Sequence, residues 1–396
     1  MSPFSTSAVV RVFLAGVCAA ITSFASANEE SDSFHRFWPD NLFAVDFVTE
    51  QTGFIAGQGG TVLRTTDGGE NWDALYIGEN ELIRRIDFVS ESDGWAVGHR
   101  GAIFHTSDAG NSWEVQYRAT DTYLRDVAFV DKNHGWAVGH NATILHTSDG
   151  GQSWQKQEMR GFKGRDLPRL HGVYAKDRTT AIVVGEFGTV IHTENGGELW
   201  LVTPSDIGVT WLAVDGVGDS IYVAGSDGSA AYLTPATDEQ RLEMDRVAAE
   251  AAEKAEQRAR KKAKRRKKKY VPPKVEALPR ADVEYIVNLV DTKTAEHLFD
   301  IAALHDGSVL IVGRSVVFKL SQDGVGPMVP SADFPLAYVW FGGASVTPSG
   351  TFWGVGIRGL VVRGDTHASE FAPAFNLGSS ENVSLVTNRW ATRNGR

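Results

Sequence analysis

A tryptophan that recurs at a nearly constant spacing is the feature that most constrains the fold of this chain. Trp72, Trp113 and Trp154 are 41 residues apart, and Trp200 follows 46 residues later. Such a period is typical of repeat proteins, in which each copy forms one supersecondary unit that cannot bury its hydrophobic surface alone. The 396 residues must therefore be divided by repeats rather than by the usual size of a domain.

Short apolar runs that end in glycine recur along the chain at a spacing similar to that of the tryptophans. The sequence Gly-Trp-Ala-Val-Gly occurs at residues 94–98 and again at residues 135–139. Related runs place their last glycine at Gly57, Gly98, Gly139, Gly185, Gly225, Gly313 and Gly356. The sequence thus contains seven copies of the repeat, and the last three are degenerate.

Each copy has room for four short strands. In the second copy we predict strands at residues 84–89, 94–98, 102–106 and 113–118, separated by turns rich in Gly, Asn, Asp and Ser. Four strands in about 40 to 50 residues are typical of a propeller blade, and blades stack around an axis and close into a ring. The predicted fold is therefore all-β, a seven-bladed β-propeller. The segment near Phe37 and the segment near Leu385 are both candidates for closing the ring.

An aspartate-glycine turn precedes three of the tryptophans. Residues 65–72, 106–113 and 147–154 share the pattern Thr-x-Asp-x-Gly-x-(Ser/Asn)-Trp. The carboxylate can accept backbone N–H groups within its own turn, and glycine adopts the positive φ that the reversal requires. In the fourth copy Asn195 replaces the aspartate, which keeps the turn and removes its charge. We interpret these aspartates as structural, not as calcium ligands or catalytic residues.

This turn resembles the Asp-box, or bacterial neuraminidase repeat. With the preceding Gly-Trp-Ala-Val-Gly strands, it is similar to the family of photosystem II stability and assembly factors and to their relatives in non-photosynthetic bacteria. The resemblance is strong over residues 43–200 and weak over residues 201–233 and 297–364. It implies a seven-bladed, non-enzymatic propeller that helps a membrane complex to assemble. It does not identify which complex.

A charged insertion separates the fifth copy from the sixth. Residues 238–269 contain no glycine or proline and are mostly Ala, Glu, Lys and Arg, which predicts one long helix. We therefore assign residues 28–234 to blades 1–5, residues 235–275 to a helical insertion between blades 5 and 6, and residues 276–396 to blades 6 and 7 and ring closure. The candidate contact residues at its basic end are Lys261, Lys262, Lys264, Arg265, Arg266, Lys267, Lys268 and Lys269.

Three interpretations of this basic end remain open. It can be a solvated spacer, it can bind anionic lipid or an acidic partner protein, or it can bind nucleic acid. The last is disfavoured because no aromatic residues are interleaved with the basic ones. The formal net charge of the chain is -10, although residues 254–269 hold 11 of its 39 basic residues, so the remainder is strongly acidic.

The first 27 residues have the pattern of a secretory signal. Arg11 precedes an apolar run of about 13 residues, which is shorter than the roughly 20 that a membrane-spanning helix needs. Small residues then end the segment at Ala27. We expect export to the periplasm, or to the thylakoid lumen in a photosynthetic source, with a retained anchor as the alternative. The single cysteine, Cys18, lies in this segment, so no disulfide or cysteine-based zinc site is expected.

The strand order assigns the loops to two faces of the ring. Turns after the first and third strands share one face, whereas turns after the second strand and the connections between blades share the other. On this second face we expect a basic patch that binds a partner, with candidate residues Arg84, Arg85, Arg100, Arg125, Arg165, Arg169, Arg314 and Arg358. Such a patch attracts acidic segments of other proteins. Scattered, solvated arginines are the alternative.

These features together predict a non-enzymatic scaffold or assembly factor. We expect a monomeric ring without cofactor or metal that docks to a membrane-associated protein complex, with a transporter or an envelope system as candidates. A sialidase-like glycoside hydrolase is the alternative, because Asp-boxes occur in such enzymes. That chemistry needs a nucleophile paired with a second acidic group, and no tyrosine and glutamate pair can be placed on matching blade positions.

Overall fold

The computed structural model describes residues 41–160, 162, 166–203, 207–265, 285–376 and 383–385. In these residues the strands form seven sheets, each with four antiparallel strands in chain order from the axis outward. The innermost strand of each sheet contacts those of its two neighbours, and the contact between Phe341–Val346 and Leu42–Phe47 completes the circle. The predicted seven-bladed β-propeller is confirmed.

Blades 1 to 4 are regular, and their strands are short, as expected for a propeller. In blade 1 the strands are Leu42–Phe47, Gly53–Gly57, Thr61–Thr65 and Trp72–Tyr76; in blade 2, Ile83–Phe88, Gly94–Gly98, Ala102–Thr106 and Glu114–Arg118; in blade 3, Leu124–Phe129, Gly135–Gly139, Thr143–Thr147 and Gln155–Gln157; in blade 4, Leu170–Ala175, Ala181–Gly185, Val190–Thr193 and Trp200–Val202. The strands predicted for the second copy agree with blade 2 to within one residue.

Blades 5 to 7 have the same four-stranded plan despite their degenerate sequences. In blade 5 the strands are Trp211–Val217, Ser220–Gly225, Ala230–Pro235 and Tyr285–Val290; in blade 6, Leu298–Ala303, Val309–Gly313, Val317–Ser321 and Gly324–Pro327; in blade 7, Phe341–Val346, Thr351–Gly356, Leu360–Asp365 and Glu370–Asn376. Single turns of 3-10 helix lie at Gln58–Gly60, Ser226–Gly228, Leu336–Tyr338 and Ile357–Gly359.

Within the described ranges, three blades carry a fifth strand, which pairs in parallel with their outermost strand. These added strands are Met159–Arg160 in blade 4, Val329–Pro330 in blade 7 and Val383–Leu385 in blade 1. In each case the chain leaves the outer edge of one blade and runs along the outer edge of the next. Val383–Leu385 therefore links blade 7 to blade 1 by the same path, and within the described part of the chain the closing segment is the one near Leu385.

Aromatic side chains hold neighbouring blades together. A ring on the second strand of one blade stacks on the phenylalanine that ends the first strand of the next, and such parallel stacking is a favourable aromatic geometry. The stacked pairs, with their centroid distances, are Phe54 and Phe88 at 3.6 Å, Trp95 and Phe129 at 3.5 Å, and Trp353 and Phe47 at 4.8 Å. Trp353 lies in blade 7 and Phe47 in blade 1. The ring is therefore closed by the same type of stacked aromatic pair that joins blade 1 to blade 2 and blade 2 to blade 3.

The predicted long helix is confirmed over Asp238–Arg265. It lies between the third and fourth strands of blade 5, because Tyr285–Val290 pairs with Ala230–Pro235. From the sequence we place the start of blade 6 at residue 276, and the structure corrects this boundary, because blade 5 extends to Val290. The helix is inserted into the loop between two paired strands of blade 5, and such an insertion leaves their pairing unchanged. None of the helices in the described residues combines the length and apolarity needed to cross a bilayer.

The helix begins with a reciprocal cap. The Gln240 backbone N–H donates to Thr237 Oγ1 at 3.3 Å, and the Thr237 backbone N–H donates to Gln240 Oε1 at 2.9 Å. This arrangement is a capping box, which satisfies two backbone donors at the start of a helix. Ion pairs one turn apart, such as Arg246 with Glu250 at 3.3 Å, continue along it. Local interactions therefore account for the helix without a buried apolar stripe.

Candidate functional site

Hydrogen bonds between turns confirm the two-faced assignment of the loops. On one face the turn after the third strand contacts the turn after the first, as where the Gly150 N–H donates to the Asn133 carbonyl at 2.9 Å. On the other face the turn after the second strand contacts the residue before the first, as where the His140 N–H donates to the Tyr123 carbonyl at 2.9 Å. We call these the aspartate-turn face and the arginine face.

On the aspartate-turn face the carboxylates are bonded within their own turns. Asp149 accepts hydrogen bonds from the Ser153 hydroxyl at 2.6 Å, the Ser153 backbone N–H at 2.9 Å and the Thr147 hydroxyl at 2.8 Å. These bonds, above all that from the Ser153 hydroxyl, lower the pKa of Asp149. Gly150 and Gly151 have φ of 72° and 86°, the conformation predicted for the reversal. Both carboxylate oxygens of Asp149 thus accept hydrogen bonds from groups of their own turn.

In the described residues, side chains on the innermost strands link neighbouring blades around the central channel. The carboxylate of Asp46, for example, accepts the Phe88 backbone N–H of the next blade at 2.8 Å. The same link recurs from Asp87 to Phe129, Asp126 to Val173, Asp215 to Ala303, Asp300 to Ala344 and Ser345 to Phe47, at distances of 2.6 to 3.0 Å. Six of the seven junctions are therefore closed by a side chain from the preceding blade.

Arg85 is the cation of this channel. Its Nη1 lies 2.8 Å from Asp300 Oδ2, and its Nε lies 3.1 Å from Asp126 Oδ1. Burial lowers the pKa of Arg85, but Asp300 and Asp126 raise it by more, so it lies above its usual value. The structure therefore places Arg85, unlike the other described residues of the predicted patch, inside the channel, where carboxylates engage both sides of its guanidinium.

Three further channel carboxylates form no ion pair with a described residue, and burial raises their pKa as it raises that of Asp126. Desolvation raises the pKa of Asp46 to about 6 and the pKa of Asp215 to about 6. Desolvation and the neighbouring Asp46 raise the pKa of Asp87 to about 8. These groups line a cavity of about 310 Å³ that lies towards the aspartate-turn face. Because each carboxylate already accepts a backbone N–H, its role in the ring is structural.

Two arginines at the other mouth of the channel have no carboxylate partner. Arg84 and Arg125 are the second residues of the innermost strands of blades 2 and 3, and both are half-buried. Neither forms an ion pair with a described residue. Burial, and then the charge of Arg125, lower the pKa of Arg84 to about 10; burial and Arg169 lower the pKa of Arg125. An anion placed here would relieve this repulsion.

Arg84 and Arg125 form what we call the cationic arc, and histidines line the mouth of the channel beside it. His171 occupies the same strand position in blade 4, and burial, followed by Arg125, lowers its pKa to about 3. Its buried Nδ1 has no hydrogen-bond partner in the described part of the chain. His99 and His140 flank Tyr123, with ring centroids at 5.4 Å and 5.0 Å, and burial lowers the pKa of both. The mouth thus combines arginine cations with imidazoles whose protonation is disfavoured by burial.

Four further predicted arginines that the structure describes lie at the rim of the same face. Arg100 and Arg358 are exposed and form no ion pair within the residues the structure covers. Arg169 lies 3.6 Å from Glu186, and Arg314 lies 3.7 Å from Glu296. Arg165 lies outside the described residues. Seven of the eight predicted positions are therefore described, and six of those seven lie on the arginine face.

An aromatic cleft across blades 6, 7 and 1 was not predicted. Phe299, Trp340 and Phe43 line it, with Trp340 stacked on Phe43 at a centroid distance of 5.6 Å. Phe43 and Phe299 occupy the strand position that holds Arg84 and Arg125 in blades 2 and 3. The replacement of arginine by phenylalanine at one repeat position is the signal in the sequence that could have revealed it.

Four of the eight predicted contact residues of the insertion are described, and all four are exposed on the helix. They are Lys261, Lys262, Lys264 and Arg265. The last four predicted contact residues, Arg266, Lys267, Lys268 and Lys269, lie outside the described residues. The described part therefore presents a solvated basic surface, as the composition predicts.

Comparison with known families supports the resemblance seen in the sequence. Residues 34–119 and 115–208 match the family model for photosynthesis system II assembly factor YCF48. The matched residues cover blades 1 to 4, where the repeat is most regular. The resemblance to the photosystem II assembly factors is therefore confirmed for this part of the chain. None of the curated proteins has a significantly similar sequence.

Solved structures share the fold at low sequence identity. A structure of YCF48 bound to D1 peptide is 15% identical, with a TM-score of 0.56, and the match covers 83% of this chain and 94% of that one. YCF48 from Cyanidioschyzon merolae is 16% identical, with a TM-score of 0.56 and coverage of 83% and 97%. An ancestral GH74 enzyme is 12% identical, with a TM-score of 0.52 and coverage of 85% and 47%. Propellers with this architecture thus include both assembly factors and an enzyme.

Proposed function

We propose that this chain, which resembles the photosystem II assembly factors, is an exported scaffold that docks an acidic segment of a membrane-associated protein complex on its arginine face. The observation that carries the proposal is the pair of half-buried, unpaired arginines at the mouth of the channel, Arg84 and Arg125. Elsewhere in the ring the buried carboxylates and Arg85 are bonded within the protein, so these two cations are what an outside anion can satisfy.

The chemistry of the face favours a protein ligand over a small molecule. Its cations extend from the mouth to the rim, where Arg100 and Arg358 are exposed. A ligand that follows them must be extended and must carry several negative charges. An acidic peptide segment fits this description, and arginine is suited to such recognition because its guanidinium can bind carboxylates in a bidentate manner. The YCF48 structure with a bound peptide is a precedent from a related propeller.

The basic half of the insertion helix is proposed to contact anionic lipid. Lys261, Lys262, Lys264 and Arg265 are exposed, and each basic residue near an anionic surface contributes about 1 kcal/mol of attraction. A membrane contact of this kind would hold the propeller near a membrane-embedded client. Flotation with vesicles that contain or lack anionic lipid tests it: replacement of these four residues by glutamine should weaken binding to anionic vesicles at least about tenfold. Unchanged binding would remove the helix from the proposal.

Affinity capture from solubilised membranes tests the docking face. The full chain is immobilised, and the partner retained by the wild type is identified. The double variant Arg100→Glu and Arg358→Glu should retain at least about tenfold less of that partner, because reversed rim charges slow association with an acidic segment. Lys132→Glu with Lys156→Glu is the matched control, since both lysines are exposed and neither lies on the arginine face.

Two outcomes of this capture would contradict the proposal. Equal retention by the two double variants would show that the arginine face does not carry the interaction. Retention that rises with salt would show that charge attraction is not its basis. Hydrolysis of a chromogenic sialic acid substrate by the purified chain would instead favour the glycoside hydrolase alternative.

A further inference from the structure

The aromatic cleft on the arginine face adjoins the cationic arc. It has a volume of about 260 Å³ and is lined by Phe43, Phe299 and Trp340, with Arg84 and Arg314 at its rim. All three rings are half-buried, so each presents apolar surface to solvent. A cleft of this size is below the roughly 300 to 1,000 Å³ of pockets for drug-sized ligands, and it suits a single large side chain.

Packing holds the walls of the cleft in place. Trp340 stacks on Phe43 with an angle of 23° between the rings, and Phe299 meets Trp340 edge-on at a centroid distance of 6.5 Å. The backbone of Arg314 forms an isolated bridge with that of Trp340, which ties blade 6 to blade 7 at the rim. The cleft is therefore preorganised, and binding there would cost little ordering of its walls.

A glycine in the innermost strand of blade 7 keeps the cleft open. Gly342 occupies the position of Phe43 and Phe299 in their own blades. A Cβ at Gly342 would lie 3.0 Å from the Trp340 ring and 2.8 Å from the Leu42 carbonyl oxygen. A larger residue at this position would displace the tryptophan wall.

Charge defines what can occupy the cleft. The Arg84 guanidinium lies 5.2 Å from the centroid of the Phe43 ring, so an apolar wall and an unpaired cation meet at one edge. Arg314, at the opposite edge, is largely exposed. The complementary ligand has a large planar apolar group with negative charges on either side. Aromatic rings satisfy the first requirement because offset and edge-to-face contacts add to their burial.

We propose that the cleft anchors one aromatic side chain of the acidic segment that docks on the arginine face. This inference rests on the proposed function and specifies it: the partner segment carries a Phe, Tyr or Trp flanked by Asp or Glu. The ring enters between blades 6, 7 and 1, and the adjacent carboxylates reach Arg84 and Arg314. The aromatic residue fixes the register of a segment that the cationic arc alone would bind loosely.

Selection from random short peptides displayed on phage tests the inference with the full chain. Peptides enriched on the wild type should combine acidic residues with one aromatic residue. Replacement of that residue by alanine in a synthetic peptide, or Trp340→Ala in the protein, should weaken binding about tenfold. Because both changes remove the same contact, their combination should cost little more than either alone.

Matched variants separate this inference from the proposed function. Tyr338→Ala is the control for Trp340→Ala, because Tyr338 lies in the same connection and is 85% exposed. Phe299→Ala provides a second test from the opposite wall. Enriched peptides that are acidic but carry no aromatic residue, or equal losses for Trp340→Ala and Tyr338→Ala, would overturn the anchor and leave the docking proposal intact. Enriched peptides without acidic residues, or no enrichment at all, would overturn both.

Discussion

The charges of this propeller are arranged in two different ways in two regions. In the channel and on the aspartate-turn face, carboxylates bond to backbone N–H groups, to hydroxyls or to Arg85, and the partners belong to the same chain. On the arginine face, Arg84 and Arg125 lie half-buried without such partners. The contrast is sharpest between Arg84 and Arg85, which are adjacent in sequence: one is held by two carboxylates and the other by none.

This difference indicates which charges stabilise the ring and which are available for binding. A buried charge without a partner is costly, so a folded protein carries one only where something else compensates. The internally bonded charges should therefore control stability, whereas the unpaired cations should control association. The following four changes test this division, in order of decreasing effect on the free energy of unfolding.

Arg85→Met should have the largest effect. It leaves Asp126 and Asp300 buried without their cation, and breaking a buried ion pair in this way costs about 3 to 5 kcal/mol of unfolding free energy. Denaturant unfolding followed by tryptophan fluorescence measures the loss. A change below about 1 kcal/mol would mean that the channel network does not stabilise the ring. The double variant Arg85→Met with Asp300→Asn should recover part of the loss.

Asp149→Ala should have an intermediate effect on stability. It removes the acceptor for the Ser153 N–H and the two hydroxyls in its turn, a loss similar to that of a helix cap, which costs about 0.5 to 2 kcal/mol. The same denaturant experiment measures it. Asp121→Ala serves as control, because Asp121 is exposed on a connection between blades. Equal effects of the two substitutions would contradict a structural role for the turn.

Asp87→Asn should change how stability depends on pH. The pKa of Asp87 rises from 3.8 to about 8 on folding, so the folded state retains a proton that the unfolded state releases between these values. The unfolding free energy of the wild type therefore falls as the pH rises through this window. Asparagine keeps the acceptor for the Phe129 N–H and does not titrate. Relative to the wild type, the variant should therefore become more stable as the pH rises through this window, with the largest difference in unfolding free energy at its upper end.

Thermal unfolding of both proteins across this pH range measures the effect. Parallel pH profiles would show that Asp87 does not titrate within the window. A variant that is less stable than the wild type at every pH would show that the negative charge itself stabilises the ring.

Arg84→Met should have the smallest effect on stability and a large one on binding. Because Arg84 has no carboxylate partner among the described residues and loses only its contact with the Phe43 ring, the unfolding free energy should change by no more than about 1 kcal/mol. Affinity for the acidic partner should fall about tenfold or more, since a direct charged contact is removed. Comparison with Arg85→Met by the same two measurements separates binding from stability at adjacent positions. A large loss of stability in Arg84→Met would contradict the distinction between charges that stabilise the ring and charges that are available for binding.

Much of the ring could be predicted because the repeat residues serve local requirements. Trp95 and Trp136 mark second strands, and the glycines of the aspartate turns mark reversals, so the blade count and the sidedness of the loops followed from spacing alone. The identity of the closing segment could not be predicted. Val383–Leu385 joins blade 1 through backbone pairing, which needs no characteristic side chain.

The site was predicted less completely, for reasons of geometry. The pairing of the first two strands of blade 2 shifts register between Ile83 and Arg85, and this irregularity breaks the two-residue alternation of side chains. Sequence could not therefore decide which of Arg84 and Arg85 enters the channel. The aromatic cleft was missed because ring closure brings together residues that are far apart in the chain. Two of the channel carboxylates can be recognised in the sequence, because an Asp-Phe pair recurs at residues 46–47 and 87–88.

Site-specific photo-crosslinking in intact membranes distinguishes the two faces most directly. A photoreactive amino acid is placed at Arg100 or Arg358 on the arginine face, and at Lys132 or Lys156 outside it. We predict crosslinks to one membrane-associated protein from the first pair of positions and none from the second, with the crosslinked peptide rich in Asp and Glu. Crosslinks to that protein from Lys132 or Lys156 alone would contradict docking on the arginine face.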